Sequence, residues 1–214
     1  MLIRADFHIH SLISDGSMHP MDIVKLAKKK NLRAIAITDH NSFGGSIVAN
    51  RENYRGIVVL YGAEIRTEYG DVVVLCPNPI KIVKKLDELI THAHQNNCLV
   101  IPAHPFDIIR AGVGRLAFLR TWDGVECWNG SSDPITNVMA WTTLRRIHRV
   151  AIANSDAHVP EMLGIPYNVV EVDDLTRDDV LEALRKGRVE PVPGYLLSGL
   201  IRKWTWSIKR RFRS

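Results

Sequence analysis

This sequence predicts an α/β fold assembled from βα units, and two observations carry the prediction. Short β-branched runs alternate with stretches of helical apolar spacing, the pattern of a parallel sheet or barrel. Clusters of His, Asp and Glu then fall directly after the apolar runs. In a βα barrel those strand ends share the face on which active sites are built.

Strand patterns cover 2–8, 33–38, 57–62, 71–76, 98–102, 123–127, 150–154 and 168–172. Between the first two, Pro20 to Asn31 keeps a helical stripe of Ile23, Val24, Leu26 and Ala27 and ends in Lys28 to Lys30. Proline early and lysines late suit the two ends of a helix. A second helix is expected over 80–97, where Ile82, Val83, Leu86, Leu89, Ile90 and Ala93 recur at helical spacing. Further helices are expected over 43–53, 134–148 and 176–187. No internal repeat or linker interrupts the pattern before about residue 190, so residues 1–194 read as one domain and 195–214 as an appended segment.

The 214 residues are 46% hydrophobic and 24% charged, an ordinary globular balance that argues against disorder. The net charge of +5 is localised. Residues 195–214 hold six Lys and Arg and no acid, so the other 194 residues carry 22 cations against 23 acids. The body is therefore close to neutral and only the tail is basic. Cys76, Cys98 and Cys127 have no CxxC spacing and sit in or beside apolar runs, which predicts buried free thiols in a reducing compartment. Asp6 and His8 occupy the place where the apolar core of a secretory leader would begin, so none is expected, and no apolar run nears the roughly 20 residues of a membrane span. The expected compartment is the cytoplasm.

In an extended Asp6-Phe7-His8-Ile9-His10, the first, third and fifth side chains share one face and Phe7 and Ile9 the other. Two imidazoles and a carboxylate then converge, a donor set suited to zinc, manganese or iron. Further clusters follow: Ser14-Asp15-Gly16, Ile37-Thr38-Asp39-His40-Asn41, Gly62-Ala63-Glu64-Ile65, Ala103-His104-Pro105, Gly124-Val125-Glu126 and Ser155-Asp156-Ala157-His158. Each motif alone is weak; their order along one chain is specific.

In that order the residues resemble the PHP (polymerase and histidinol phosphatase) family of metal-dependent phosphoesterases, from Asp6 to His158 and more weakly to about residue 193. The likeness is greater to its small stand-alone phosphoesterases than to the domain within bacterial replicative polymerases. The resemblance implies a distorted (β/α)7 barrel with two or three divalent metal ions at its C-terminal rim. It implies that His8, His10, Glu64 and Asp156 hold one ion. Glu64 would bridge to a second, held also by His104 and Glu126, and Asp15, His40 and His158 would hold the third. Asp6 and Asp39 are expected to orient ligating imidazoles. The chain departs from one common form of the pattern at Asp71, where a histidine follows the bridging glutamate by seven residues; an acid ligand, a base and a solvated turn residue all remain open there.

The donor set by itself suits phosphoester hydrolysis by metal-activated water, with Asp15, His40, Asp156 and His158 as candidate catalytic groups. Amide or lactone hydrolysis is the chemical alternative, and a non-catalytic metal-binding module tethered by the basic tail is the alternative from another class. Arg110 and Arg115, among glycines after His104, are candidate clamps for a substrate phosphate, as is Arg66 beyond Glu64. The expected substrate is a nucleotide, a nucleic-acid end or a small phosphorylated metabolite. His92 and His94 do not share a helical face, and His19 and His148 are expected in solvent. Trp122, Trp128 and Trp141 are expected to pack rather than to stack on a base. In the tail, Leu197, Ile201, Trp204 and Ile208 form one apolar helical face opposite a basic one. That face is expected to dock on the barrel, with anionic lipid or nucleic acid as the competing contacts.

Overall fold

The computed structural model describes every residue except Asn53, Arg120, Arg149 and 212–214. Arg213, one of the six tail cations, lies outside the described residues, as does Asn53 of the helix expected over 43–53, which ends at Ala49. The elements run β1 (Leu2–Asp6), α1 (Pro20–Lys29), β2 (Leu32–Ile37), α2 (Gly44–Ala49), β3 (Val58–Arg66), β4 (Asp71–Cys76), α3 (Leu86–Gln95), β5 (Leu99–Pro102), β6 (Val125–Asn129), α4 (Pro134–Thr143), β7 (Ala151–Asn154), β8 (Tyr167–Glu171), α5 (Arg177–Arg185), β9 (Val189–Val192) and α6 (Leu197–Arg211).

Seven strands hydrogen-bond in the order β5-β4-β3-β2-β1-β8-β9, curling into a half-barrel, and β6 pairs with β7 separately. β6 lies beside β5, and β7 beside β8 and β9, across the gap between the sheet's two ends. The regular alternation of seven βα units does not form. β1, β2 and β3 are parallel, as are β6 and β7, but β3–β4, β4–β5, β1–β8 and β8–β9 are antiparallel. Chain length explains the first reversal. Only 67–70 separate β3 from β4, and a parallel return needs a dozen residues or more. Gly70 makes that turn at φ 143, where a Cβ would stand 2.6 Å from the Ala111 carbonyl oxygen.

The interior is apolar below the rim: Ile3, Ala5 and Phe7 meet Ala34, Leu60, Val73, Leu75, Ile101 and Ile152. Outside, α1 packs Ile23, Val24 and Ala27 on Ile35 and Ile37, and α3 packs Leu86, Leu89 and Ala93 beside Val72 and Val74. α1 opens as its sequence requires, with His19 Nδ1 accepting from Met21 N and Pro20 in the first turn. Lys30 Nζ, just past its end, donates to the Pro160, Glu161 and Leu163 carbonyls, tying the helix to the loop beyond His158.

Several expectations are corrected. Cys76, the last residue of β4, and Cys98, just before β5, come together at the end of the β4–β5 pairing and form a disulfide; Cys127 is free and buried. Their separation of 22 residues hid a pairing made by strand register. His148 is buried rather than solvated, with Nε2 donating to the Ala117 carbonyl. The tail is helical, but its apolar face does not dock: Leu197, Ile201, Trp204 and Ile208 are exposed, while Gly199 is buried and Leu200 and Trp206 pack on the barrel. The tryptophans do pack, with Trp122 buried and Trp128 edge-on to Trp141. No helix among the described residues is long and apolar enough to cross a membrane.

Candidate metal centre

The rim gathers side chains from six strand ends. His8 and His10 lie just past β1, and a bridge between Ile9 and Ala157 brings them beside Asp156 and His158, which follow β7. A second bridge, His40 to Glu64, joins the end of β2 to β3. Glu64 and Glu126 lie within β3 and β6 rather than after them, because both strands run further along the rim than their apolar runs do. Asp15 sits in a tight loop in which Gly16 leaves only 2.2 Å between a would-be Cβ and the His10 carbonyl oxygen. His104 and Asp156 adopt φ 30 and φ 49, left-handed conformations that cost about 1–3 kcal/mol in a non-glycine residue and persist only where packing enforces them.

Among the described residues three groups of ligand atoms each fall within 4.8 Å: His10, Asp15, His40 and His158; His8, His10 and Asp156; and Glu64, Asp71 and His104. Glu64 faces two sides. Its Oε1 is 3.0 Å from His104 Nε2 and 3.5 Å from His8 Nε2, and its Oε2 is 2.8 Å from His40 Nδ1 and 3.4 Å from His10 Nε2. His10 likewise turns Nε2 to Asp156, at 3.3 Å, and Nδ1 to Asp15, at 3.5 Å. Asp15 is also 3.2 Å from His158 Nε2 and 3.5 Å from His40 Nε2.

Glu126 stands apart from these groups. Its Oε1 is 3.1 Å from His8 Nδ1 and accepts from Asn154 Nδ2, and its Oε2 accepts from His104 N and Asn129 Nδ2. With both oxygens engaged it orients His8 from behind instead of standing among the candidate ligands. Among the described residues no side-chain hydrogen bond joins Asp6 or Asp39 to an imidazole. Asp6 accepts from the Ser155 amide and hydroxyl and from Gly164 N, and Asp39 accepts from Ser11 and Ser14, so both stitch rim loops together. Asp71 is buried and paired with Arg66, which sets aside the solvated-turn reading. Arg110 pairs with Asp156 and donates to Asn129 Oδ1 at 3.3 Å. Arg115 is exposed in a 3₁₀ turn over Gly114–Phe118 and is not among the residues lining the cleft.

The electrostatics are those of a site built for cations. Burial opposes charge on His8, yet Asp156, Glu64 and Glu126 outweigh it and hold the imidazole well above its ordinary range. Burial likewise opposes charge on His40, but hydrogen bonds to Asp15 and Glu64 raise it to about 10. Burial and the neighbouring His158 push His10 down to about 3. Glu64 and Asp156 remain well below the usual carboxylate range against their burial, Glu64 through His8 and Asp156 through Arg110. Asp6 is pushed up to about 6 by burial. Buried His10 Nδ1, His104 Nδ1 and Asp156 Oδ1 have no hydrogen-bond partner. Unpaired polar atoms in a dry site are costly, and these atoms fit divalent ions.

Above the carboxylates opens a cleft of about 180 Å³ lined by Asp15, His40, Arg66, Asp71, His104, Arg110, His158 and Lys203. Lys203 comes from α6, and sequence reasoning missed it. Its burial, with Arg110 nearby, lowers its amine to about 8. The helical period alone sets Lys203 on the side of α6 away from Ile201 and Trp204, but nothing in the sequence says that this side meets the metal centre.

Comparison with known proteins gives the same outline. The PHP domain matches residues 6–121 and the PHP-associated region residues 134–189. The chain is 34% identical over 153 residues to the uncharacterized protein MJ1587 of Methanocaldococcus jannaschii, spanning 64% of this chain and 89% of that protein. It is 35% identical over 70 residues to a 3',5'-nucleoside bisphosphate phosphatase of Chromobacterium violaceum, a match over 32% of this chain and 25% of that enzyme. The fold superimposes with a TM-score of 0.71 and 19% identity on a two-domain Bacteroides vulgatus protein containing a predicted PHP-like metal-dependent phosphoesterase, over 96% of this chain and 69% of that one. With the PHP match covering more than half of its length, the chain belongs to the PHP domain family.

Proposed function

We propose that this protein is a metal-dependent phosphoesterase that hydrolyses a small phosphate ester, a nucleotide or the end of a nucleic-acid strand. The observation that carries the reading is the two-sided placement of buried Glu64, with imidazoles at each oxygen, beneath a cleft edged by Arg66, Arg110 and Lys203. Anionic ligands below and cations above are what a phosphoryl group needs.

His10, Asp15, His40 and His158 would hold one ion, and His8 and Asp156 beside them would help to hold a second. Glu64, His104 and Asp71 would hold a third, with Asp71 competed for by Arg66. Divalent ions so held would activate water near neutral pH and neutralise charge growing on the phosphoryl oxygens. Glu126 keeps His8 oriented, and Arg110 holds Asp156 while its guanidinium edges the cleft. His40, the most open of the clustered imidazoles, turns one ring nitrogen to Glu64 and the other to Asp15 and serves here as a ligand. Asp15, Asp156 and His158 act as ligands in this arrangement. The phosphatase named among the relatives supports phosphate chemistry.

The test is turnover of p-nitrophenyl phosphate and of its bis-ester by metal-free protein given Mn, Zn or Mg. Turnover in at least one combination, lost on chelation, is expected. Tight metal binding with no turnover of either ester would instead support a binding module.

A further inference from the structure

The last helix presents opposite faces to two different surroundings. One face meets the barrel: at Gly199 a Cβ would stand 2.6 Å from Met162 Cγ, Trp206 Nε1 donates to the Asp15 carbonyl at 2.9 Å, and Arg202 pairs with Glu161 at 2.9 Å. The other face carries Leu197, Ile201, Trp204 and Ile208, 72%, 56%, 67% and 36% exposed. These residues recur at intervals of four, three and four, a narrow stripe along one side of the helix. The barrel holds α6 by its other side. The loop hydrogen-bonded to α6 through Ser14 and Asp15 adds exposed Leu12 and Ile13 to the same rim.

What flanks the stripe chooses among occupants. α6 holds five cations and no acid; Lys203 turns into the cleft, while Arg202, Lys209 and Arg210 are exposed. Packing a second copy stripe to stripe would set these cations against their own counterparts. Nucleic acid would use the cations but leave the aliphatic side chains in water, since binding there rests on phosphate contacts and aromatic stacking. An apolar stripe with Leu, Ile and Trp, flanked by Lys and Arg, is the composition of a helix lying in the plane of a membrane interface. We propose that α6 seats this rim on an anionic lipid surface, with the stripe in the headgroup layer and the exposed Arg202, Lys209 and Arg210 on lipid phosphates. The surface would then lie beside the mouth of the metal centre, because the same helix sends Lys203 into the cleft.

The full chain is sedimented with vesicles of phosphatidylcholine alone and of phosphatidylcholine with phosphatidylglycerol, at low and high salt, beside gel filtration and binding to a short RNA. Expected is binding to the anionic vesicles that weakens with salt and falls at least tenfold in the double variant Ile201→Glu/Trp204→Glu. The milder Ile201→Ala/Trp204→Ala should give a smaller loss in the same direction, with an unchanged circular dichroism spectrum showing that α6 persists. Brominated lipid should quench fluorescence in the original chain and quench it less in Trp204→Phe. No vesicle binding overturns the proposal, as does binding that both double variants retain in full. A dimer that Ile201→Glu/Trp204→Glu dissolves, or RNA binding without vesicle binding, also overturns it by assigning the face to another occupant.

Discussion

His8 Nδ1 lies 3.1 Å from Glu126 Oε1 with both side chains buried, so the ring of a candidate metal ligand is oriented by a carboxylate from a strand more than a hundred residues away. Glu126→Gln keeps the shape and removes the charge. Metal affinity is expected to fall by about 10- to 100-fold, the usual effect of losing such a partner, while the fold is retained. Metal titration of the purified variant beside its circular dichroism spectrum measures both; unchanged affinity would remove Glu126 from the support of His8.

Glu64→Gln should be more severe, since its two oxygens face His104 and His8 on one side and His40 and His10 on the other. Elemental analysis is expected to show the loss of at least one ion per chain, with phosphoesterase activity down more than about a hundredfold, beyond the effect of a supporting group. Full metal content with full activity would refute a bridging role.

Lys203 edges the cleft, whereas Arg110 also pairs with Asp156, and the two cations should therefore fail differently. Lys203→Met is expected to raise KM for a phosphate ester about tenfold with metal content unchanged, the loss of one charge-assisted contact. Arg110→Ala should raise KM and loosen metal binding together, because Asp156 loses its partner. Steady-state kinetics with paired metal analysis separates the two.

The disulfide makes a simple thiol count decisive. In denaturant without reductant, Ellman's reagent should find one thiol, Cys127, and after reduction three. Three thiols before reduction would mean that Cys76 and Cys98 are not joined in the isolated protein.

The tie from Lys30 to the loop beyond His158 gives a stability test away from the metal centre. Lys30→Met leaves three carbonyls without their shared donor and is expected to cost about 1–3 kcal/mol in urea unfolding.

The legible part of this protein was local. Alternating β-branched and helical runs located eight of the nine strands, and motifs such as Asp6-Phe7-His8-Ile9-His10 and Ser155-Asp156-Ala157-His158 sit where a strand delivers its next residues to the rim. What depended on partners distant in the chain could not be read this way. Asp6 and Asp39 have the residue type of imidazole supports, yet which donors surround a carboxylate is set by which loops pack against it, and Ser155, Gly164, Ser11 and Ser14 do so here. Glu126 and Glu64 follow similar apolar runs, but Glu64 faces the clustered imidazoles on both sides whereas Glu126 meets the ring of His8 from behind.

The sequence by itself determined the donor types, their order and the amphipathic character of the tail, because these follow from residue chemistry and helical or strand period. Only the tertiary structure decided which donors meet, that β3 and β4 form a hairpin, that Cys76 faces Cys98, and that α6 docks by the face bearing Lys203 and leaves its apolar stripe outward. The reason is physical: periodicity fixes which side chains share a face, whereas which face is buried depends on the surface it meets, and that surface is built by residues elsewhere in the chain.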